Sequence, residues 1–471
     1  MTLKKSLAAA VASMCLIFGS NVCVLAATNE TLPQNEIEVT IYNNNLALVK
    51  DKRAMKIPLG LNTVNFDDIS DRINASSVTF KSLTSPDDVN IREQNYEYDI
   101  VNEYKLMEKF LGQKVTVTTK GGTSYTGYLL STSGTVILSA EKGGTGGVFT
   151  VQSSDIQSIQ YPSLPQGLIT KPTLAWLINN NSGTVNHDVL VTYLTGGLSW
   201  NADYVATLSV DEDYIDLTGW VTLTNNTNMT FEDAKLKLVA GDINTVTSYM
   251  TDQMVRYESA SVMAKNTAAG FTEKEFFDYH LYDLQYPTTI KASQTKQIEL
   301  LSASKIPVTK KYVFDGLYND KVQVLMEFKN DEKSNLGMPL PKGTIRVSKS
   351  DDDGSLEFIG EDSIDHTPKD EAVEVTLGNA FDVTGTRTRI SSRKTSSTSR
   401  EDTYEIVIKN HKDSVVDVTV VEHLGGWESW EIVSSSSPYE KVDSNTVNFV
   451  PTVDADGTVT ISYTVELSWY D

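Results

Sequence analysis

Residues 190–244 alternate apolar and polar side chains through three strand-length runs. Val205, Leu208 and Val210 mark the first, Ile215, Leu217, Trp220, Val221 and Leu223 the second, and Leu236, Leu238 and Val239 the third. A period of two places alternate side chains on one face of an extended strand, so the pattern predicts sheet with one buried face. Polar clusters at 225–228 and 232–233 fall between the runs, where turns are expected. Similar short runs recur at 37–41, 46–49, 63–66 and 77–80, and again from 276 to the C-terminus. Residues 103–111 read as a short helix, with Tyr104, Met107, Phe110 and Leu111 on one face and Gly112 closing it, and the insertion 245–273 as mobile or partly helical.

The expected fold class is therefore all-β: multidomain antiparallel β-sandwiches. Residues 27–111 with 162–190 are expected to form an N-terminal β-domain. Residues 112–161 read as an inserted small barrel, SH3-like or Sm-like, because five short strands are separated by glycine turns and a polar step at 153–155. The glycine-rich run 143–147 is a hairpin loop on this reading, since no Lys-Ser/Thr pair and no helix follow it. Residues 191–400 form a central sandwich with a polar insertion at 245–273, and residues 401–471 a C-terminal immunoglobulin-like β-unit.

The first residues read as a leader. Lys4 and Lys5 precede an apolar stretch at 7–18, and small residues follow, so a signal peptide is expected over 1–26 with cleavage after Ala26, or after Ala27. Cys15 and Cys23, the only cysteines, both precede that site, which excludes disulfides and thiolate metal ligation from a cleaved chain. No later apolar run reaches 18 residues, so no transmembrane span is expected in the mature chain. A formal charge of −22 disfavours nucleic acid and anionic lipid as partners. The expected location is secreted or extracytoplasmic, at the cell envelope.

Catalytic signatures are scarce. The chain has no HExxH, Walker or dinucleotide-binding motif, and Ser199 in 197–201 falls one residue short of a nucleophile elbow. The five histidines show no metal-ligand spacing to one another, and no metal or cofactor is expected. The Asp-Gly stretches 351–354 and 454–457 read first as hairpin turns and only secondly as fragments of calcium loops. The densest polar stretch, 360–371, carries Glu361, Asp362, His366 and Glu371, which would do acid–base or glycosidase chemistry only if they converged in a cleft. The alternative is a structural loop with Pro368 stiffening it and Lys369 pairing with Asp365, Asp370 or Glu371. Trp200, Tyr204 and Trp220 sit within strand alternation and read as core, whereas Trp427 and Trp430 follow Gly425 and Gly426 and are the candidates for carbohydrate stacking. Arg387, Arg389, Arg393, Lys394 and Arg400 form the one basic patch, on a run whose alternation predicts a strand exposed on one face.

Several segments occur together in an order that resembles a known family. They are YLTGGLSW at 193–200, ADY at 202–204, GWV at 219–221, Ala234 and LVAGD at 238–242. Later come YHLY at 279–282, Lys296 with Gln297, LPKG at 340–343, FIGED at 358–362 and HTPKDE at 366–371. These segments resemble the bacterial family of domain of unknown function 4139, the mucoidy-inhibitor-A-like proteins, over roughly residue 37 to the C-terminus. The resemblance implies a β-rich secreted or envelope protein and no defined activity. The longer members carry a coiled coil, and no sustained heptads occur here. The function expected is that of a non-enzymatic scaffold or binding module for a protein or cell-envelope polysaccharide, with a carboxylate-dependent polysaccharide hydrolase as the alternative.

Overall fold

The computed structural model describes residues 36–132, 134–163, 165, 168–241, 243–244, 267–268 and 270–469. The leader, its cleavage site and residues 245–266 of the polar insertion lie outside the described residues. About 62% of the structure is strand and about 4% helix, in several sheets, which makes the protein all-β. Among the described residues no helix is long and apolar enough to cross a membrane.

Two large sheets organise the molecule. In the first, Phe231–Ala240, Glu36–Tyr42, Leu46–Lys56 and Asn186–Gly196 lie side by side, with Phe271–Phe276 and Tyr279–Leu284 on one flank and Thr79–Ser82 on the other. In the second, the order runs Leu356–Ile364, Gly343–Ser350, Leu198–Leu208, Tyr214–Asn225, Gln294–Phe314, Val416–His423 and Thr446–Phe449. Both contribute to one continuous apolar core, joined by the small sheet Gly60–Phe66, Thr173–Asn180 and Val89–Glu97. Most strand pairs are antiparallel, as expected. Parallel pairs join Glu36–Tyr42 to Phe231–Ala240, Leu198–Leu208 to Gly343–Ser350, and Gln294–Phe314 to Val416–His423.

The pivotal alternation is real, but its phase differs from the expectation. In Leu198–Leu208 the buried residues are Leu198, Trp200, Ala202, Tyr204, Ala206 and Leu208, while Val205 and later Val210 are exposed. In Tyr214–Asn225 the inward set is Ile215, Leu217, Gly219, Val221 and Leu223, and Trp220 lies on the other face. A shift of one residue turns a whole strand over, so the two bulky aromatics and the small alanines outweigh a single valine in setting the buried face.

Strand ends use a shared device. Asn180, Asn225, Asn330 and Asn410 are each 1% exposed or less and each closes a strand. The Asn225 amide donates to the carbonyls of Met229 and Lys291 at 2.8 and 3.0 Å, and its oxygen accepts from the Thr227 N–H at 3.0 Å. Asn180 and Asn410 repeat that geometry, each donating to the carbonyl four residues on and to a carbonyl distant in the chain, Ile57 and Val453 respectively. One side chain thus satisfies backbone groups that the turn removes from the ladder.

The 21-residue strand Gln294–Phe314 bends from the large core into a second one. Its end packs Tyr312 and Phe314 with Val418, Val420, Val447 and Phe449, opposite Ile406, Ile408, Ile461, Tyr463 and Val465. The latter lie on a four-stranded sheet ordered Val383–Lys394, Ser399–Asn410, Thr458–Ser468, Ser429–Ser435. The turn 454–457 is not a hairpin, because it carries the chain from Thr452–Val453 on one sheet to Thr458–Ser468 on the other.

Residues 114–160 form their own five-stranded sheet, ordered Ile156–Gln160, Lys114–Thr119, Ser124–Ser131, Thr135–Ser139, Val148–Gln152. The outer strands do not pair with each other, so hydrogen bonds do not close it into the expected barrel. The run 143–147 is the expected hairpin loop, joining two antiparallel strands. Helix Glu103–Lys109, capped by the Asn102 side chain, packs through Leu106, Met107 and Phe110, whereas Tyr104 is exposed.

Candidate functional site

None of the four candidate carboxylate and histidine residues lines either of the two concave sites described below. Glu361 and Asp362 lie within strand Leu356–Ile364, not in a loop, and as neighbours on a strand they project to opposite faces. A bulge at Gly360 lets pairing with Gly343–Ser350 continue to Ile364. Glu361 is exposed and pairs with Arg346 at 3.1 Å. Asp362 accepts from the backbone N–H of Thr376 at 2.7 Å and of Ser363 at 2.8 Å, which ties two strands together. Nδ1 of His366 accepts from the Lys342 N–H at 3.1 Å. Glu371 is exposed, and its carbonyl accepts from the Asn330 N–H at 2.9 Å. Lys369 pairs with Glu332 at 2.6 Å and not with the acids expected for it, because the loop turns toward the Asn330 end of its neighbour strand.

Asp362→Ala is expected to lower stability by about 1–3 kcal/mol, since two backbone donors lose their acceptor. Glu361→Ala should change it by only about 0–1 kcal/mol, the range of an exposed ion pair. Urea melts of the two variants check the contrast, and equal values would contradict it.

Of the aromatic residues in the family-like segments, Tyr193, Trp200, Tyr204 and Tyr282 are buried in the core. The Tyr204 hydroxyl donates to the Pro341 carbonyl at 2.7 Å and the Tyr282 hydroxyl to Pro339 at 2.8 Å, clamping the segment before Gly343 from both sheets. Burial pushes both hydroxyls well above the usual tyrosine range, with the Tyr204 and Glu273 charges adding to the effect at Tyr282. Trp427 and Trp430 are half-buried against the C-terminal core. Arg400 lies over the Trp427 ring at 4.6 Å and Lys441 over Trp430 at 4.5 Å, so a cation covers one face of each indole. Four of the five basic-patch residues lie against acids: Arg387 on Glu422, Arg393 on Glu401, and Arg389 and Arg400 sharing Asp402. Among the described residues no group of three or more histidines and acids is placed to hold a metal ion.

A concave site does exist at the seam between the two cores. It is a cleft of about 230 Å³ lined by Leu208, Val308, Val324, Met326, Ile359 and Leu377, with Glu212, Lys310 and Lys349 at its rim. A second hollow of about 230 Å³ shares Lys310 and Val324 with it and extends to Tyr312, Phe381 and Lys412. Glu212 holds Lys310 at 2.8 Å and Lys349 at 2.7 Å from a left-handed backbone position, φ 62°. Burial pushes its carboxyl up, but hydrogen bonds and charge from both lysines outweigh this and hold it at about 2. None of these residues was read as a site from sequence, because separate strands and turns, distant in the chain, bring them together. The left-handed acid in the Asp/Glu-rich turn 211–213 was the nearest available signal.

A carboxyl held below its ordinary value stabilises the fold above that value and loses the contribution as pH falls through about 2. With about a third of the side chain exposed, screening reduces the effect to roughly 1–2 kcal/mol. Glu212→Gln should therefore be less stable by that amount at pH 7, with the gap narrowing from pH 4.5 downward and closing near pH 2. Denaturant melts across this range check it, and a pH-independent gap would contradict it.

No family model matches this chain, and the search of curated proteins finds no match. The resemblance to the family of domain of unknown function 4139 thus stands on the quoted segments alone.

Proposed function

We propose that this is a non-enzymatic binding or scaffold protein of the cell envelope or extracellular space, taking its ligand at the seam cleft. On this reading residues 1–26 are removed on export, the five-stranded unit is an SH3-like insert and the C-terminal sandwich an immunoglobulin-like module. The chain's relation to the domain of unknown function 4139 family belongs to the same proposal. One observation carries the reading: the apolar cleft with Lys310 and Lys349, and the adjoining hollow with Lys412, lie at the junction of two cores, and their lining includes none of Glu361, Asp362, His366 or Glu371. An apolar floor with a few convergent charges is the usual anatomy of a ligand site. The partner expected is a protein or cell-envelope polysaccharide that presents an apolar, acid-bearing group to the cleft.

The test is retention. Purified protein is sedimented with cell-envelope fractions, and the Lys349→Met/Lys412→Met variant is compared with it. Retention of the wild type and its loss in the variant support the proposal. Equal retention of both places the binding surface elsewhere.

A further inference from the structure

We propose that the seam cleft takes a small amphipathic monoanion, an aliphatic chain ending in a carboxylate. The inference deepens the binding reading above and rests on it.

The charge of the cleft opposes that of the chain. The protein as a whole carries −22, yet Lys310, Lys349 and Lys412 face only Glu212 and Asp382 along the two hollows. Glu212 already engages both Lys310 and Lys349, so two ammonium groups converge on one ionised carboxylate. A second carboxylate would balance the surplus. Lys412 adds a further ammonium close by. It makes no ion pair among the described residues, donates to the Tyr312 hydroxyl at 3.2 Å and lies 5.8 Å from that ring's centre. The Lys310 ammonium lies 5.6 Å from the same ring. Tyr312 thus holds two ammonium groups at the mouth shared by the hollows.

The floor specifies the other end of the ligand. Leu208 and Met326 are buried, and Val308, Val324, Ile359 and Leu377 are half-buried beside them. The cleft, about 230 Å³, has room for a short aliphatic chain. Expelling water from this floor favours an apolar body over a polar one. A low-dielectric floor also strengthens the attraction between the lysines and an anionic head.

The experiment is calorimetric titration of the full chain with octanoate, octanol, octylamine and acetate. Octanoate should bind with one-to-one stoichiometry and weaken as salt is raised. Lys412→Met should reduce its affinity about tenfold or more, the loss of a charge-assisted hydrogen bond, while melting as the wild type does. Leu377→Asn should weaken octanoate without creating affinity for acetate. Octanol or octylamine binding as tightly as octanoate overturns the anionic class, as does a Lys412→Met variant of unchanged affinity. No heat with octanoate also overturns it. Continued retention on envelope fractions would then leave the binding reading standing, whereas loss of both signals would remove both.

Discussion

Glu422→Ala is expected to destabilise the protein by about 3–5 kcal/mol, the cost of breaking a buried ion pair from one side. Glu422 is 1% exposed and stands in phase with Val416, Val418 and Val420 on the core face of its strand. Arg387 forks onto it with two hydrogen bonds of 2.8 Å, and the Tyr463 hydroxyl donates to the same carboxylate. The Arg387 guanidinium also lies 4.0 Å from the centre of the Tyr404 ring, which stacks on Tyr463. Alanine would leave a guanidinium desolvated without its anion and a buried hydroxyl without its acceptor. Replacing both Arg387 and Glu422 by methionine removes the charges together, and should cost far less than the single change. Urea melts of the single and double variants decide the point. A loss below about 1 kcal/mol in Glu422→Ala would mean that the network does not brace the C-terminal core.

Gly343→Ala is expected to cost about 3 kcal/mol or more, at the upper end of what overpacking produces. A methyl group there would lie 2.0 Å from the Ala202 carbonyl oxygen, a backbone atom that cannot turn aside. Gly343 and Ala202 are partners in the parallel pairing of Gly343–Ser350 with Leu198–Leu208. The strands would have to part where Tyr204 and Tyr282 clamp the preceding residues. Thermal melting of the variant checks it, and an unchanged melting temperature would show that the strand can shift to admit a methyl group.

The all-β class was legible because two-residue alternation reports a local property of the backbone. The phase of the alternation was harder to read. In Leu198–Leu208 it depended on which of two mixed faces met the opposing sheet, and Val205 misled where Trp200 and Tyr204 decided. Another signal lay in plain view: an apolar residue, one intervening residue and then Asn, at 178–180, 223–225, 328–330 and 408–410. Each instance places a buried asparagine at the end of a strand or, for Asn330, just past it. It reads as ordinary turn chemistry until the hydrogen bonds to carbonyls distant in the chain are seen. The stretch 360–371 attracted attention through its density of charge, but density in sequence does not imply convergence in space. Adjacent strand residues diverge, which is how Glu361 and Asp362 come to face opposite ways. The seam cleft was hidden for the converse reason. Glu212, Lys310, Lys349 and Lys412 are far apart in the chain, and only the bend of Gln294–Phe314 between two cores assembles them.

The claim that this protein binds and does not catalyse is tested most directly by incubating it with purified cell-envelope polysaccharide and measuring the release of new reducing ends. The account predicts release no greater than that of a heat-denatured control, from the wild type and from Glu361→Gln and Glu371→Gln alike. Release by the wild type that either substitution abolishes, with the melting temperature unchanged, would contradict it and establish the hydrolase.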